Sequence, residues 1–164
     1  MQKLLMVDMD GVLADCSGRL HYAQEKNYEE FYSCSNMMED KMIVKGVSLI
    51  SSLATAGYGI VLVTGRPERT RECTKSWLDK HANSLGIDRI LMRKDGDYRP
   101  ASVIKPKMVE AFLECFGDGT LNDALCKWES ILFVDDFPEN VSAVCALSDK
   151  ILGLVFGTDH TIGL

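Results

Sequence analysis

Apolar residues gather in five short runs along the chain, separated by longer stretches with helical spacing. The runs cover 3–8, 59–64, 89–92, 131–135 and 151–155. Runs of this length, bounded by polar or turn residues, predict buried strands. Between the first two, Ile43, Val47, Ile50 and Ala54 recur at helical spacing, with Gly57 as the stop. Pro67 stands where a second helix is expected to start, and Cys73, Trp77 and Leu78 line one face of it. Met108, Val109, Phe112, Leu113 and Phe116 form a third stripe, expected to open near Pro106 and to close at Gly117. Val141, Val144 and Cys145 form the last. Strands alternating with helices predict an α/β fold, a mostly parallel sheet covered on both faces.

Two stretches break this alternation. Residues 19–40 are polar, acidic and spotted with aromatics, and their periodicity is weak. They predict a small insertion beside the first strand rather than a second domain. Residues 117–123 read as a Gly/Asp loop. A chain of 164 residues suits a single domain spanning 1–164, with a core of its own.

Composition narrows the function classes. No apolar run is long enough to cross a bilayer. The run from Leu4 to Val7 is too short for a secretory signal. A cytoplasmic protein with no membrane association is therefore expected. The six cysteines (Cys16, Cys34, Cys73, Cys115, Cys126 and Cys145) form neither a C-x-x-C pair nor a zinc spacing. Reduced, mostly buried thiols are the expectation. His21, His81 and His160 are scattered and make no metal pattern. The net charge of −6 is uneven. Between Arg66 and Lys107 there are 11 Lys and Arg against 6 Asp and Glu, whereas the remainder holds 7 against 18. A basic stretch on an acidic body fits an anionic ligand approaching one face.

The polar residues that end the runs suggest what the ligand is. The first run stops at Asp8; Asp10 follows, and Gly11 turns the chain. The second ends in Thr64-Gly65-Arg66-Pro67 and the fourth in Asp135-Asp136. An acid closing a buried strand loses solvation and needs a partner. In a parallel sheet these three ends lie on one edge, so their groups can converge. Clustered carboxylates repel one another, which favours a bound hard cation such as Mg²⁺ with oxygen ligands. A hydroxyl, an arginine and a lysine in the same cavity complement a phosphoryl group. Each piece alone is commonplace: D-x-D and T-G-R occur in surface turns, and Asp-Asp can cap a helix. The three in order, each directly after a buried strand, are not.

On these residues the chain resembles the haloacid-dehalogenase-like phosphatase superfamily over nearly its whole length. Asp8-Met9-Asp10-Gly11-Val12 matches the first family motif, Thr64 the second, Lys105 the third and Asp135-Asp136 the fourth. The resemblance implies a five-stranded Rossmann-like sheet in the order 3-2-1-4-5 with a minimal cap. It also implies a phosphoric monoester hydrolase. Asp8 would attack phosphorus and form an aspartyl-phosphate, and Asp10 would act as general acid, then base. Mg²⁺ would be held by Asp8, the Asp10 backbone carbonyl and Asp136, with Asp135 supporting or sharing it. Thr64 would hydrogen-bond a phosphoryl oxygen. Lys105 would offset charge on the phosphate and on Asp8, with Lys107 its rival. Asn140 would orient Asp136.

A closer resemblance runs through Gly18-Arg19, Tyr22, Thr64–Arg71, Thr74, Trp77-Leu78, Leu91-Met92-Arg93 and Asp97-Tyr98-Arg99 up to Lys105. These residues are similar to the 3′-phosphatase domain of phage-type polynucleotide kinases. That similarity implies Arg19, Gly65 and Arg66 as the phosphate-binding set and a nucleotide or nucleic-acid 3′ end as substrate. No G-x-x-x-x-G-K-[ST] pattern occurs, so a stand-alone phosphatase unit is expected, without a stable protein partner. The string from Asp8 to Asp15 equally resembles 5′(3′)-deoxyribonucleotidases, and the acidic net charge is unlike a general nucleic-acid binder. A small-molecule phosphatase therefore stays open as the alternative, as does a non-catalytic phosphate-binding module.

Overall fold

The computed structural model describes residues 2–116 and 120–157. His160, the Gly117 helix stop and part of the expected 117–123 loop lie outside them. Five strands make one sheet: β1 (Gln2–Val7), β4 (Tyr58–Pro67), β5 (Ile87–Arg93), β6 (Trp128–Asp135) and β7 (Ile151–Val155). Their order is β5-β4-β1-β6-β7 and every neighbouring pair is parallel. In the numbering of the main strands this is the expected 3-2-1-4-5. Two short strands, β2 (Ala14–Asp15) and β3 (Lys41–Met42), pair antiparallel beside it.

Alternation along the strands divides the core into two layers. Leu4 and Met6 of β1, Val61 and Val63 of β4, and Ile131 and Phe133 of β6 face one side. There they meet Val109, Phe112 and Leu113 of α6 (Ala101–Glu114) and Val141 and Val144 of α8 (Pro138–Cys145). Leu5, Val7, Ile60, Leu62 and Val134 face the other side. They pack with Ile50 of α4 (Val44–Thr55) and with Trp77 and Leu78 of α5 (Arg71–His81). Because β1 is covered on both faces, Leu4 to Val7 read as an unbroken apolar run.

Between β2 and β3 the chain folds into a 3-10 turn (Ser17–Arg19) and three short helices: α1 (Leu20–Gln24), α2 (Tyr28–Phe31) and α3 (Cys34–Met38). These account for the weak periodicity of 19–40. Asn27 and Ser33 cap the second and third of them, their side-chain oxygens accepting from the Glu30 and Asn36 amides. A further short helix, α7 (Leu121–Leu125), precedes β6.

Two boundaries differ from the sequence reading. Pro67 does not open a helix: its backbone is extended, β4 runs through it, and a 3-10 turn over Glu68–Thr70 leads into α5. The pairing of β4 with β5 shifts register between Thr64 and Pro67. Such an irregularity bends a strand and re-aims its side chains, here at Gly65-Arg66. The other difference is in α6, which begins after Pro100 and carries Pro106 inside it. Pro106 gives up one helical hydrogen bond, and the earlier start brings Lys105 into the helix.

The cysteines depart from expectation as well. Cys34 of α3 and Cys73 of α5 form a disulfide, with their Cα atoms 5.7 Å apart. Separated by 39 residues, they carry no spacing signal; the packing of α3 against α5 brings them together. Nor are the others mostly buried. Cys115 and Cys126 are exposed where α6 and α7 end, and Cys16 and Cys145 are half-buried. No helix among the described residues is long and apolar enough to cross a membrane. Cross-linking a segment of this length typically stabilises by about 2–4 kcal/mol. Cys73→Ser is expected to lower stability by about that amount, read as the denaturant midpoint. Reductant should lower the wild-type midpoint and leave the variant's unchanged.

Candidate active site

The C-terminal edge of the sheet carries two charge clusters, one built around Asp8 and the other around Asp10. Asp8 leaves β1 with its amide donating to Val134 O of β6 at 2.8 Å, so the strand pairing itself fixes its place. Its Oδ1 accepts from the Met9 amide at 2.8 Å. Its Oδ2 lies 2.7 Å from Lys105 Nζ. Lys105 also donates to Asp135 Oδ2 at 2.5 Å. Asp135 Oδ1 accepts from the Phe137 amide at 2.9 Å and from Asn140 Nδ2 at 3.0 Å. Lys105, Asp135 and Asp8 are buried, at 2%, 0% and 5% exposure. Asp136 completes the group, and one carboxylate oxygen each from Asp8, Asp135 and Asp136 lie within 4.8 Å of one another.

Gly11 makes this proximity possible. Its φ is +84°, and a Cβ there would stand 2.0 Å from Asp136 Oδ2. Glycine is therefore required both for the left-handed turn and for the close approach. Met9 O accepts the amides of Leu13 and Ala14, closing the loop tightly enough to return the chain to β2.

The second cluster pairs two arginines with two aspartates. Arg19 Nη2 and Arg66 Nη2 each donate to Asp10 Oδ1 at 2.6 Å. The same nitrogens donate to Asp40 Oδ2 at 2.8 and 2.9 Å. Arg19 also reaches Phe31 O through Nη1 at 3.0 Å and packs its guanidinium over the Phe31 ring. Trp77 Nε1 donates to Asp40 O at 2.9 Å, which anchors the end of the insertion on α5. Thr64, fully buried, accepts from the Arg66 amide through Oγ1 at 3.2 Å. Gly65 O accepts from Tyr32 Oη at 3.4 Å and from Arg93 Nε at 2.8 Å.

The two aspartates of the first motif are polarised in opposite directions. Burial pushes the Asp8 carboxyl up to about 7; Lys105 opposes this and Asp135 adds to it. Burial also disfavours charge on Asp10, but Arg66 and Arg19 outweigh it and hold the carboxyl below its usual range. Burial and the neighbouring Asp135 raise Asp136 to about 6. Burial works against the Lys105 ammonium, yet Asp8 and Asp135 together raise it.

The first cluster suits a hard divalent cation. It offers carboxylate oxygens only, and two of its acids are held above their usual range. Asp136 Oδ1 is buried with no hydrogen-bond partner. A cation there would supply the partner that oxygen lacks. Asp135, with Lys105, Phe137 and Asn140 around it, is already fully bonded.

All nine expected site residues (Asp8, Asp10, Arg19, Thr64, Gly65, Arg66, Lys105, Asp135 and Asp136) lie at this edge. Lys107 is exposed and Lys105 is the lysine on the carboxylates. Asn140 bonds Asp135, not Asp136, because the first turn of α8 sits over the inward-pointing acid that closes β6. Arg19 and Arg66 are shared between Asp10 and Asp40. Asp40 is the residue sequence reasoning missed. No local signal marks it: Arg19 and Arg66 meet Asp10 and Asp40 only through the packing of the insertion against β4.

Comparison with known proteins places this geometry. The profile of the polynucleotide kinase PNKP phosphatase domain family matches residues 2–115. The chain belongs to this family. Its fold is that of the haloacid-dehalogenase-like hydrolases. A chain in the solved Pnkp1/Rnl/Hen1 RNA repair complex superposes with a TM-score of 0.67 at 23% identity, covering 94% of this chain and 42% of that one. This chain thus spans about two fifths of that neighbour's length. A hydrolase from Streptococcus pneumoniae TIGR4 matches at TM-score 0.62 and 13% identity, over 96% of this chain and 94% of its own. The D,D-heptose 1.7-bisphosphate phosphatase from B. bronchiseptica, complexed with magnesium and phosphate, matches at 0.52 and 17%, over 88% and 76%.

Removing one partner of a buried charge network leaves the others uncompensated, at a cost of about 3–5 kcal/mol. Asp40→Ala is expected to destabilise by about that amount, measured by denaturant unfolding. Unchanged stability would show that Asp10 alone balances Arg19 and Arg66.

Proposed function

We propose that this chain is a Mg²⁺-dependent phosphomonoesterase working through an aspartyl-phosphate on Asp8, with nucleic-acid 3′ ends as the leading substrate class. The observation that carries the reading is the opposed pairing of two acids at one sheet edge: Asp8 faces Lys105 beside Asp135 and Asp136, while Asp10, two residues on, is gripped by Arg19 and Arg66. Two carboxyls whose surroundings drive them apart suit different chemical roles. The family assignment and the phosphate-ester chemistry of one neighbour support the same reaction class.

Asp8 is the nucleophile of this reading. Its Oδ1 is held by the Met9 amide, and its Oδ2 faces Lys105, so the carboxylate is oriented before substrate arrives. A phosphate dianion entering beside it meets Lys105, the Thr64 hydroxyl and the guanidinium groups of Arg66 and Arg19. Those arginines then divide their charge between the phosphate and Asp10. As they turn to the phosphate, Asp10 loses the interactions that hold it ionised and can carry the proton for the leaving oxygen. When the leaving group departs, Asp10 is an anion again, suited to take a proton from the water that attacks the acyl-phosphate. Asp8, the Asp10 carbonyl and Asp136 would hold Mg²⁺, with Asp135 in support. When bound, the ion supplies charge neutralisation between the nucleophile and the phosphate. Asp135, fixed by Asn140 and Phe137, keeps Lys105 aimed at Asp8.

Two variants test the roles. Asp8→Asn should abolish hydrolysis of a generic phosphate ester in the presence of Mg²⁺. Asp10→Asn should lower turnover by about 10²–10⁴-fold, the usual worth of a general acid–base, while Mg²⁺ binding, followed by its effect on thermal stability, survives. Equal turnover of wild type and Asp8→Asn would sink the proposal. Removing Mg²⁺ with a chelator should stop turnover, and Asp136→Asn should weaken the stabilisation that Mg²⁺ confers. A substrate panel of a 3′-phosphorylated oligonucleotide, mononucleotides and sugar phosphates ranks the classes.

A further inference from the structure

A second cavity opens beside the Thr64–Pro67 segment, and neither of the charge clusters accounts for it. It measures about 250 Å³. Pro67 lines it, as do three tyrosines (Tyr28, Tyr32 and Tyr98) and a set of cations that includes Arg69, Arg93 and Lys94. It joins the reaction centre through Gly65, whose carbonyl takes hydrogen bonds from both Tyr32 Oη and Arg93 Nε. The next residue, Arg66, grips Asp10. The cavity is therefore one peptide unit from the arginine that would meet the phosphate.

Its chemistry differs from that of the first site. Tyr98 is 81% exposed and Tyr28 45% exposed, a large outlay of aromatic surface for two residues that stabilise no core. Arg93 is rigid: its Nη1 donates to Asp97 O at 2.8 Å and to Arg99 O at 2.7 Å, which folds the 94–99 loop around it and holds Tyr98 at the rim. Asp97 is held by Arg99 at 2.6 Å. Arg69 faces Asp95, outside the cavity lining, at 3.9 Å. Flat aromatic faces interleaved with cations form the kind of surface that stacks bases and follows a phosphate backbone. The volume is below the roughly 300–1,000 Å³ of a site for a drug-sized ligand, so it takes one ring system and leaves the rest of the chain outside.

From this geometry we propose that the tyrosine-lined cavity is a base-stacking subsite. It takes the nucleobase of the phosphorylated terminal nucleotide of a single-stranded end, with Tyr98 and Tyr28 as its stacking faces. Arg69 and Lys94 take the phosphates of the preceding nucleotides. The proposal rests on the phosphatase reading above and specifies what that reading leaves open. Base stacking on an aromatic is worth about 1–3 kcal/mol, and one exposed ring corresponds to roughly a tenfold change in KM.

The test compares a 3′-phosphorylated oligonucleotide with the same strand whose terminal nucleotide is abasic. The wild type should prefer the base-bearing end, through KM rather than kcat. Tyr98→Ala should shrink that preference about tenfold and Tyr98→Phe should restore it, since the ring and not the hydroxyl does the stacking. Tyr98 is exposed, so neither change endangers folding. Equal KM for the two strands in the wild type, or a preference that survives Tyr98→Ala, overturns the subsite. A wild type that hydrolyses a phosphotyrosine peptide better than either strand also overturns it, since the cavity then serves a protein side chain. In all three results the wild type still cleaves phosphate esters, so the reading of Asp8 stands. Failure to cleave any of them would instead remove that reading, and the subsite with it.

Discussion

Everything at the functional edge depends on how buried charge is compensated. Five carboxylates, two guanidinium groups and one ammonium are gathered at the ends of β1, β4 and β6. Water reaches few of them, so each must be balanced by a neighbour. The chain divides them by sign and by purpose. Lys105 spans Asp8 and Asp135, and the two arginines span Asp10 and Asp40. Among these groups, Asp136 Oδ1 and Arg66 Nη1 are buried without a protein partner.

The fold serves this arrangement by geometry. A parallel sheet brings the ends of all its strands to one edge, and β1, central and covered on both faces, carries the first acid deepest. The shift in pairing at Gly65-Arg66 swings an arginine off the edge of β4 and onto Asp10. The insertion between β2 and β3 contributes Arg19 and Asp40 from its two ends, so one short segment brackets the acid from both sides. Its disulfide to α5 and the Trp77–Asp40 hydrogen bond hold that bracket against the sheet. Stability and site are coupled here: the contacts that anchor the insertion also position two of the four charges in the arginine cluster.

Beside this charged centre lies a cavity of opposite character, open, aromatic and basic. The positive charge of the stretch from Arg66 to Lys107 is divided, with Lys75, Lys80, Arg89 and Lys107 exposed elsewhere on the surface. Arg69, Arg93 and Lys94 line this cavity, and Arg93 also folds the 94–99 loop.

The sequence alone determined the sheet and the motif residues, because both depend on local signals. An apolar run of four to six residues ending in an acid reads as a buried strand wherever it occurs, and the order of Asp8, Thr64, Lys105 and Asp135-Asp136 survives any uncertainty about helix ends. Pattern also located the insertion, whose lack of periodicity reflects helices of four or five residues. Only the tertiary structure decided the pairings. Cys34 with Cys73, Asn140 with Asp135 and Asp40 with two arginines are contacts between elements whose separation carries no periodic signal. Pro106 shows the same limit from the other side. Local rules make it a helix start, but the packing of α6 against the sheet tolerates one lost hydrogen bond and so draws Lys105 into the site. Spacing names the residues that chemistry requires; which neighbour balances each charge is settled only when the strands and helices are packed together.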